Sequence, residues 1–281
     1  MKSRREFLMS TIVAAGGASL AAFAGEPRKP LGAQLYTVRE QAVRDLPSVL
    51  SAIHKIGYTQ VETFSSLYTR PAPELKQMIG DHGLALPSGH FDYDDFESKI
   101  DYAAALGLDY MICPILPREM WNSLDGFKRA AAQFNAWGAK VKGRGMRFAF
   151  HNHNYEFRRF GATTGFDVLM SQTDPDLMAL EMDCYWVAEA GLDPLQLFES
   201  LGTRIQLLHL KDRLAGFPYS QELNQQAAHF APVGMGTLDW GAIIRAARVN
   251  RVRYMYVEQD SGDLPPLEEL KISYKFLQPL L

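Results

Sequence analysis

Cysteine is scarce in this chain, with two in 281 residues, Cys113 and Cys184. Both fall in apolar, strand-like runs. No disulfide framework therefore holds the fold, and each thiol reads as a small buried hydrophobe. Beyond the N-terminal leader no apolar run approaches the roughly 20 residues that span a bilayer. Positive charge is not in surplus: 29 Lys and Arg stand against 32 Asp and Glu, a net charge of −3. That balance gives no electrostatic footprint for nucleic acid. The first expected strand runs into Thr37-Val38-Arg39-Glu40. A doubly wound nucleotide-binding sheet would carry a Gly-rich phosphate turn at that point.

The opening residues read as an address. Ser3-Arg4-Arg5-Glu6-Phe7-Leu8 has the twin-arginine pattern, and a weakly apolar Ala/Gly-rich run follows over 9–21. Ala22-Phe23-Ala24 then supplies the small-x-small site of a signal peptidase. The run is too short and too glycine-rich to be a comfortable membrane anchor. The expectation is an exported, periplasmic protein, cleaved after 24, with no membrane association afterwards. Its mature part, 25–281, has the usual length of one (β/α)8 barrel.

From Pro30 onward, short apolar runs alternate with longer amphipathic ones. Strands are expected at 31–36, 60–63, 85–89, 110–114, 146–151, 177–183, 205–211 and 253–258. Helices are expected at 46–56, 72–81, 95–106, 125–142, 165–172, 194–201, 238–247 and 266–276. Asp45 is placed to cap the first helix and Gly57 to end it. Eight strand–helix units predict an α/β fold, a single parallel TIM barrel with its helices outside. The longest irregular stretch, 213–237, follows the seventh strand. It reads either as a lid over the ligand face or as a surface insertion.

Function groups in such barrels gather at the C-terminal ends of the strands. Here those ends carry Gln34 and Tyr36, Glu62, His90, Cys113, His151 and His153, Asp183, His209 and Lys211, and Glu258 and Asp260. Unpaired, each buried polar group would cost about 1–3 kcal/mol; a metal and a polyhydroxylated ligand satisfy them together. His151 and His153 are two apart and share a face, and Glu156 follows in the loop. Asp183, Glu258, His209 and His151 make a mixed N/O shell suited to Mn, Zn, Co or Fe rather than Ca. Such a centre stabilises an enediolate formed when a proton leaves the carbon beside a carbonyl, with a carboxylate or imidazole as base.

Five ordered motifs resemble one family. They are His151-Asn-His-Asn-Tyr-Glu156-Phe, Leu180-Glu-Met-Asp183-Cys-Tyr-Trp186, Leu208-His209-Leu-Lys211-Asp212, Val233-Gly-Met-Gly-Thr-Leu-Asp-Trp240 and Val257-Glu258-Gln-Asp260. Together with Gly32-Ala-Gln34-Leu-Tyr36-Thr-Val-Arg39, they resemble the sugar phosphate isomerase/epimerase family. That family has the xylose-isomerase-like barrel and includes inosose dehydratases, ketose 3-epimerases and, more distantly, endonuclease IV. The resemblance implies metal ligands at Asp183, His209 and Glu258, with the fifth-strand ligand at His151, His153 or Glu156. Three positions depart from the family pattern: His151 stands where epimerases place Glu, Trp186 where many relatives have His, and Met235 where Glu is common.

These readings give a set of expectations. Glu156, His153 and Lys211 are the catalytic candidates. Gln34, Tyr36, Glu62, His90 and Trp186 are the substrate-binding candidates, with Tyr185 and Trp186 able to stack on a sugar face. His151, Asp183, His209 and Glu258 are the metal candidates. The activity expected is that of a divalent-metal-dependent sugar isomerase or epimerase, its partner a small carbohydrate. A 3-keto-glycoside lyase or hydratase on the same site is the alternative reaction. A non-catalytic periplasmic sugar-binding barrel is the alternative class. Endonuclease IV-like DNA repair is disfavoured by the acidic charge balance and the small number of histidines, seven in all.

Overall fold

A computed structural model describes residues 29–224 and 228–281. The export signal expected over 1–24 lies outside the described residues. Eight parallel strands close into a barrel in chain order. They are β1 (Gly32–Gln34), β2 (Gln60–Thr63), β3 (Ala85–His90), β4 (Tyr110–Cys113), β5 (Arg147–His151), β6 (Met178–Asp183), β7 (Ile205–Leu210) and β8 (Tyr254–Val257). β8 returns to β1 through Gly32↔Tyr256 and Ala33↔Val257. Among the described residues no helix is long and apolar enough to cross a membrane.

The helices form where the pattern places them. Leu46–Ile56 opens with the Asp45 carboxylate accepting from the Ser48 N–H at 3.2 Å and buries Leu46, Val49, Leu50 and Ile53. It stops at Gly57, whose φ of +122° disfavours any side chain; a Cβ there would also lie 2.4 Å from the Tyr274 ring. Leu124–Lys142 starts under a Ser123 cap, and Gly165–Gln172 under a Thr164–Asp167 capping box.

Three expected elements change shape. The first strand ends at Gln34 because its side-chain oxygen accepts the Tyr36 N–H at 3.0 Å, turning the chain into a tight helical turn over Leu35–Val38. The helix expected over 95–106 splits into Tyr93–Lys99 and Ile100–Leu106. The last-but-one helix begins at Trp240, because Asp239 caps it by accepting from Ala242 N.

Strand alternation then decides what the barrel holds. Tyr110, Ile112, Ala149, Ala179, Leu207 and Tyr256 make a separate apolar cluster, distinct from the large core under the helices. These residues plug the barrel. Two residues further along each strand the same face carries His151, Glu181, His209 and Glu258, and a second step on β6 reaches Asp183. Register aligns them: His151 pairs with Glu181, Asp183 with His209, and Gln34 with Glu62. An apolar floor thus carries a charged layer, and the two cysteines lie buried and free beside it.

The stretch after β7 is an insertion held by two anchors rather than a cover. Asp212–Arg213 pairs antiparallel with Phe230–Ala231. Asp212 accepts N–H bonds from Gly234, Gly236 and Leu238 and from the Trp240 indole. Arg213 makes a buried 2.6 Å ion pair with Glu189 and donates to the Phe217 and Pro218 carbonyls. None of the insertion's described residues lines the cavity at the strand ends, so they do not act as its lid.

Candidate active site

The C-terminal mouth of the barrel opens into a cavity of about 210 Å³. Its lining includes the titratable groups His90, His151, His153, Lys211, Glu258 and Asp260. Its other lining residues are mainly apolar or hydroxyl-bearing, Tyr36, Phe64, Ser65, Ser66, Pro114 and Ile115, with Asp92 among them. A mixed lining of this kind suits a ligand with C–H faces and many hydroxyls.

Around these titratable groups runs a hydrogen-bonded network that sequence reading only partly anticipates. The Glu62 carboxylate accepts from Gln34 Nε2 at 2.8 Å and from the Ser88 hydroxyl, and faces His209 Nε2 at 2.7 Å and His90 Nε2 at 3.1 Å. Glu181 Oε2 faces His90 Nε2 at 2.7 Å and His151 Nδ1 at 3.2 Å. His209 turns its other nitrogen, Nδ1, to Glu258 Oε2 at 2.9 Å. Lys211 Nζ completes the set, 2.7 Å from Glu258, 3.0 Å from Asp260 and 3.3 Å from Asp183.

These contacts set the charges. Burial pushes Glu62 and Glu181 up, but the neighbouring histidines outweigh it and hold both at about 2. Burial pulls His90 down, and Glu62 and Glu181 overcome it, raising it to about 9. Burial pulls His209 down as well, and Glu181 and Glu258 outweigh it and raise it. His151 and His153 move the other way: burial, with nearby cations, lowers both, His153 to about 3. Asp183 is raised to about 6 by burial, against the pull of Lys211 and His209. Lys211 rises despite burial because three carboxylates surround it.

The four metal candidates named from the sequence come together. His151, Asp183, His209 and Glu258 each bring a ligand atom, and these atoms all lie within 4.8 Å of one another. A second group, His90, His151, Glu181 and His209, meets the same limit. Asp183 reaches its place by local structure. Its Oδ1 caps the short helix Cys184–Glu189 through the Trp186 N–H at 2.9 Å, leaving Oδ2 directed elsewhere. That Oδ2 is buried and accepts no well-formed hydrogen bond, although Lys211 lies near it. A buried carboxylate oxygen without a hydrogen-bond donor, set among imidazoles and a second carboxylate, is a donor set that fits a divalent metal.

Of the other candidates, Tyr36, His90, His153 and Lys211 line the cavity. Four do not. Gln34 and Glu62 are fully buried in the charged layer and bound to each other, and neither lines the cavity. Trp186 lies behind Lys211, whose Nζ is 5.6 Å from its ring, and packs on Tyr185 and Phe230. Glu156 is fully buried and turned back to accept the His153 N–H at 3.0 Å; burial pushes its carboxyl up to about 8. It holds the loop through His153 and does not line the cavity. Glu181 was missed as a site residue. The signal was present, since Glu181 and Asp183 sit two apart on one strand and must share a face.

Comparison with known proteins agrees with this architecture. The model of the xylose isomerase-like TIM barrel matches residues 50–280. An inosose dehydratase of Geobacillus kaustophilus is 26% identical over 197 residues, covering 58% of this chain and 61% of the relative. The chain therefore spans about three fifths of that relative's length. A sugar phosphate isomerase/epimerase of Parabacteroides distasonis superposes with a TM-score of 0.75 at 26% identity, covering 93% of this chain and 97% of that one. An IolI protein crystallised with a bound zinc atom shares the fold at a TM-score of 0.67 and 15% identity, covering 89% of this chain and 97% of that one.

Proposed function

The chain belongs to the xylose isomerase-like TIM barrel family, and on that premise we propose that it is a divalent-metal-dependent enzyme that removes a proton beside the carbonyl of a keto-sugar or related polyhydroxylated ketone. The single observation that carries this reading is the convergence of His151, Asp183, His209 and Glu258, from four successive strands, beside a cavity that Lys211 also reaches. These four residues would hold the metal. When bound, it supplies a Lewis acid for the carbonyl and an adjacent hydroxyl.

The chain's own residues divide the remaining work. His153 lines the cavity and is neutral; burial lowers it to about 3, so it is a weak base that would take a proton only from a carbon that the bound metal would acidify. Lys211 stays charged among Asp183, Glu258 and Asp260, so it supports negative charge on a substrate oxygen and is no base. Tyr36 and Phe64 also line the cavity, where they would exclude water and offer faces for sugar C–H groups. With export through the expected leader, the substrate would be a free or glycosidic sugar rather than a phosphorylated one.

Proton removal at this carbon begins isomerisation, epimerisation and β-elimination alike. Two-carboxylate epimerase chemistry fits poorly, because the fifth strand presents His151 where it needs a second carboxylate. That substitution, with the dehydratase named among the relatives, favours elimination of a β-hydroxyl as the second reading. The test is proton exchange. Purified protein with added Mn²⁺, Co²⁺ or Zn²⁺ is incubated with keto-sugars and inososes in D₂O and followed by NMR. Deuterium at the carbon beside the carbonyl supports the proposal, and new enone absorbance assigns elimination. Binding of these ligands with no exchange would make this a sugar-binding barrel.

A further inference from the structure

The segment that follows β8 serves two cavities. Glu258 and Asp260 line the one at the strand ends. Gln259 and Ser261, the residues between and after them, line a different cavity of about 460 Å³. The insertion after β7 supplies much of the rest of its lining, through Leu214, Phe230, Pro232 and Met235. The two cavities share no lining residue. A ligand in one therefore does not occupy the other.

This second cavity carries polar groups that the fold does not satisfy. Gln259 and Glu269 line it, and each is only 3% exposed. The Gln259 amide Nε2 donates to no acceptor. Among the described residues the Glu269 carboxylate accepts only from the Leu264 N–H, at a long 3.4 Å. Gly262 lets both groups approach, since a Cβ there would run into Glu269 Oε1 and Gln259 Nε2. A buried amide without an acceptor costs about 1–3 kcal/mol. A ligand oxygen would give Nε2 its acceptor, and a ligand hydroxyl would give Glu269 a better donor.

The rim narrows the class of ligand. Met235, Leu264 and Leu214 line the cavity and are 61%, 45% and 39% exposed. Large exposed apolar side chains grouped at one place mark a binding surface. Among the described lining residues there is no Lys or Arg, whereas Asp263 and Glu269 are both present. An anion would find no counter-charge there. A bare cation would leave the Gln259 N–H unpaired and the apolar rim unused. An uncharged molecule with hydroxyls on its edge and C–H groups on its face uses both.

We propose that this cavity is a second carbohydrate site, which takes a neutral sugar unit separately from the mouth of the barrel. The sugar's oxygens accept from Gln259 Nε2, its hydroxyls donate to Glu269, and its C–H face rests on Met235 and Leu264. The site stands whether or not the strand ends are catalytic.

The test uses the full chain with isotope-labelled methionine methyl groups, followed by NMR. Met235 is one of 11 methionines, and its signal is assigned by its loss in Met235→Leu. Glucose, xylose, cellobiose and maltose are titrated in turn. At least one should move the Met235 signal saturably, and should do so equally in Asp183→Asn, where the centre at the strand ends is broken. Gln259→Leu should weaken that binding about tenfold. Leu264→Arg, at an exposed position on the rim, should weaken it as much and serves where Gln259→Leu fails to fold. A Met235 signal unmoved by every sugar would overturn the proposal. So would a response to Ca²⁺ or a primary amine without one to any sugar, a response lost in Asp183→Asn, or wild-type affinity in both rim and amide variants. Saturable binding here without proton exchange into any ketone would reject the proposed function and leave this site standing.

Discussion

The ammonium of Lys211 lies 2.7 Å from the Glu258 carboxylate, with both side chains almost fully buried. Each charge is tolerable only because of the other and of their shared neighbours. Lys211→Met should therefore leave Glu258, Asp183 and Asp260 as uncompensated buried charges. Breaking a buried pair of this kind costs about 3–5 kcal/mol. Urea unfolding should show that loss, and proton exchange should fall to background. A variant as stable as the wild type would mean that the carboxylates are neutralised by something other than Lys211.

Glu156 gives a pH prediction with a definite sign. Its folded value, about 8, lies above the ordinary 4.5. The folded chain therefore holds this proton more tightly than the unfolded chain. The resulting stability is fully present below about pH 4.5 and is lost as pH rises toward 8. Glu156→Gln keeps an acceptor for the His153 N–H and removes the titration. It should be more stable than the wild type at pH 8 by up to a few kcal/mol. Catalytic proton exchange should change little, because Glu156 does not face the cavity. A loss of exchange with an unchanged pH–stability curve would restore Glu156 as a catalytic group.

His153 should behave in the opposite way. It lines the cavity, and its side chain carries an unpartnered nitrogen. His153→Ala should lower kcat for deuterium exchange by about 10²–10⁴-fold while leaving the unfolding midpoint near that of the wild type. Exchange at the wild-type rate would remove it as the base.

Asp212 anchors the insertion through four donors beyond its own neighbour: Gly234 N, Gly236 N, Leu238 N and Trp240 Nε1, at 2.7–3.2 Å. Asp212→Ala strands all four, at about 1–3 kcal/mol each when buried. Thermal unfolding should shift down by several degrees. Amide exchange should quicken across 232–240 before it does so in the barrel strands. Uniform quickening would show that Asp212 supports the whole fold instead.

Chelation offers an independent check. An ion that binds only the folded chain raises its stability in proportion to the logarithm of its concentration. EDTA should lower the melting temperature, and Mn²⁺, Co²⁺ or Zn²⁺ should restore it. Asp183→Asn should blunt that response. A melting temperature indifferent to both chelator and metal would leave the centre as a hydrogen-bonded network alone.

Much of the architecture was legible in the chain. The second strand, Gln60–Thr63, and the helices Leu46–Ile56, Ala72–Asp81, Gly165–Gln172 and Pro194–Leu201 run between the bounds their patterns and caps predict. The first strand ran short, because a glutamine side chain captures a backbone N–H two residues on, a competition that apolar periodicity does not report. Glu181 was overlooked for a related reason. Attention to strand ends passes over a residue one step inside, although alternation places it on the same face as Asp183.

Period and spacing along the chain determine the barrel and the set of polar side chains carried toward one mouth of it, since a strand's two faces are fixed by a two-residue repeat. Which of those side chains reach the cavity is decided only by closure. The shear of eight strands puts Glu62 against His209, sets Trp186 beside Lys211, and turns His151 and His209 so that their two nitrogens meet different carboxylates. Such distances depend on residues up to 147 positions apart in the chain, and no local pattern carries that information.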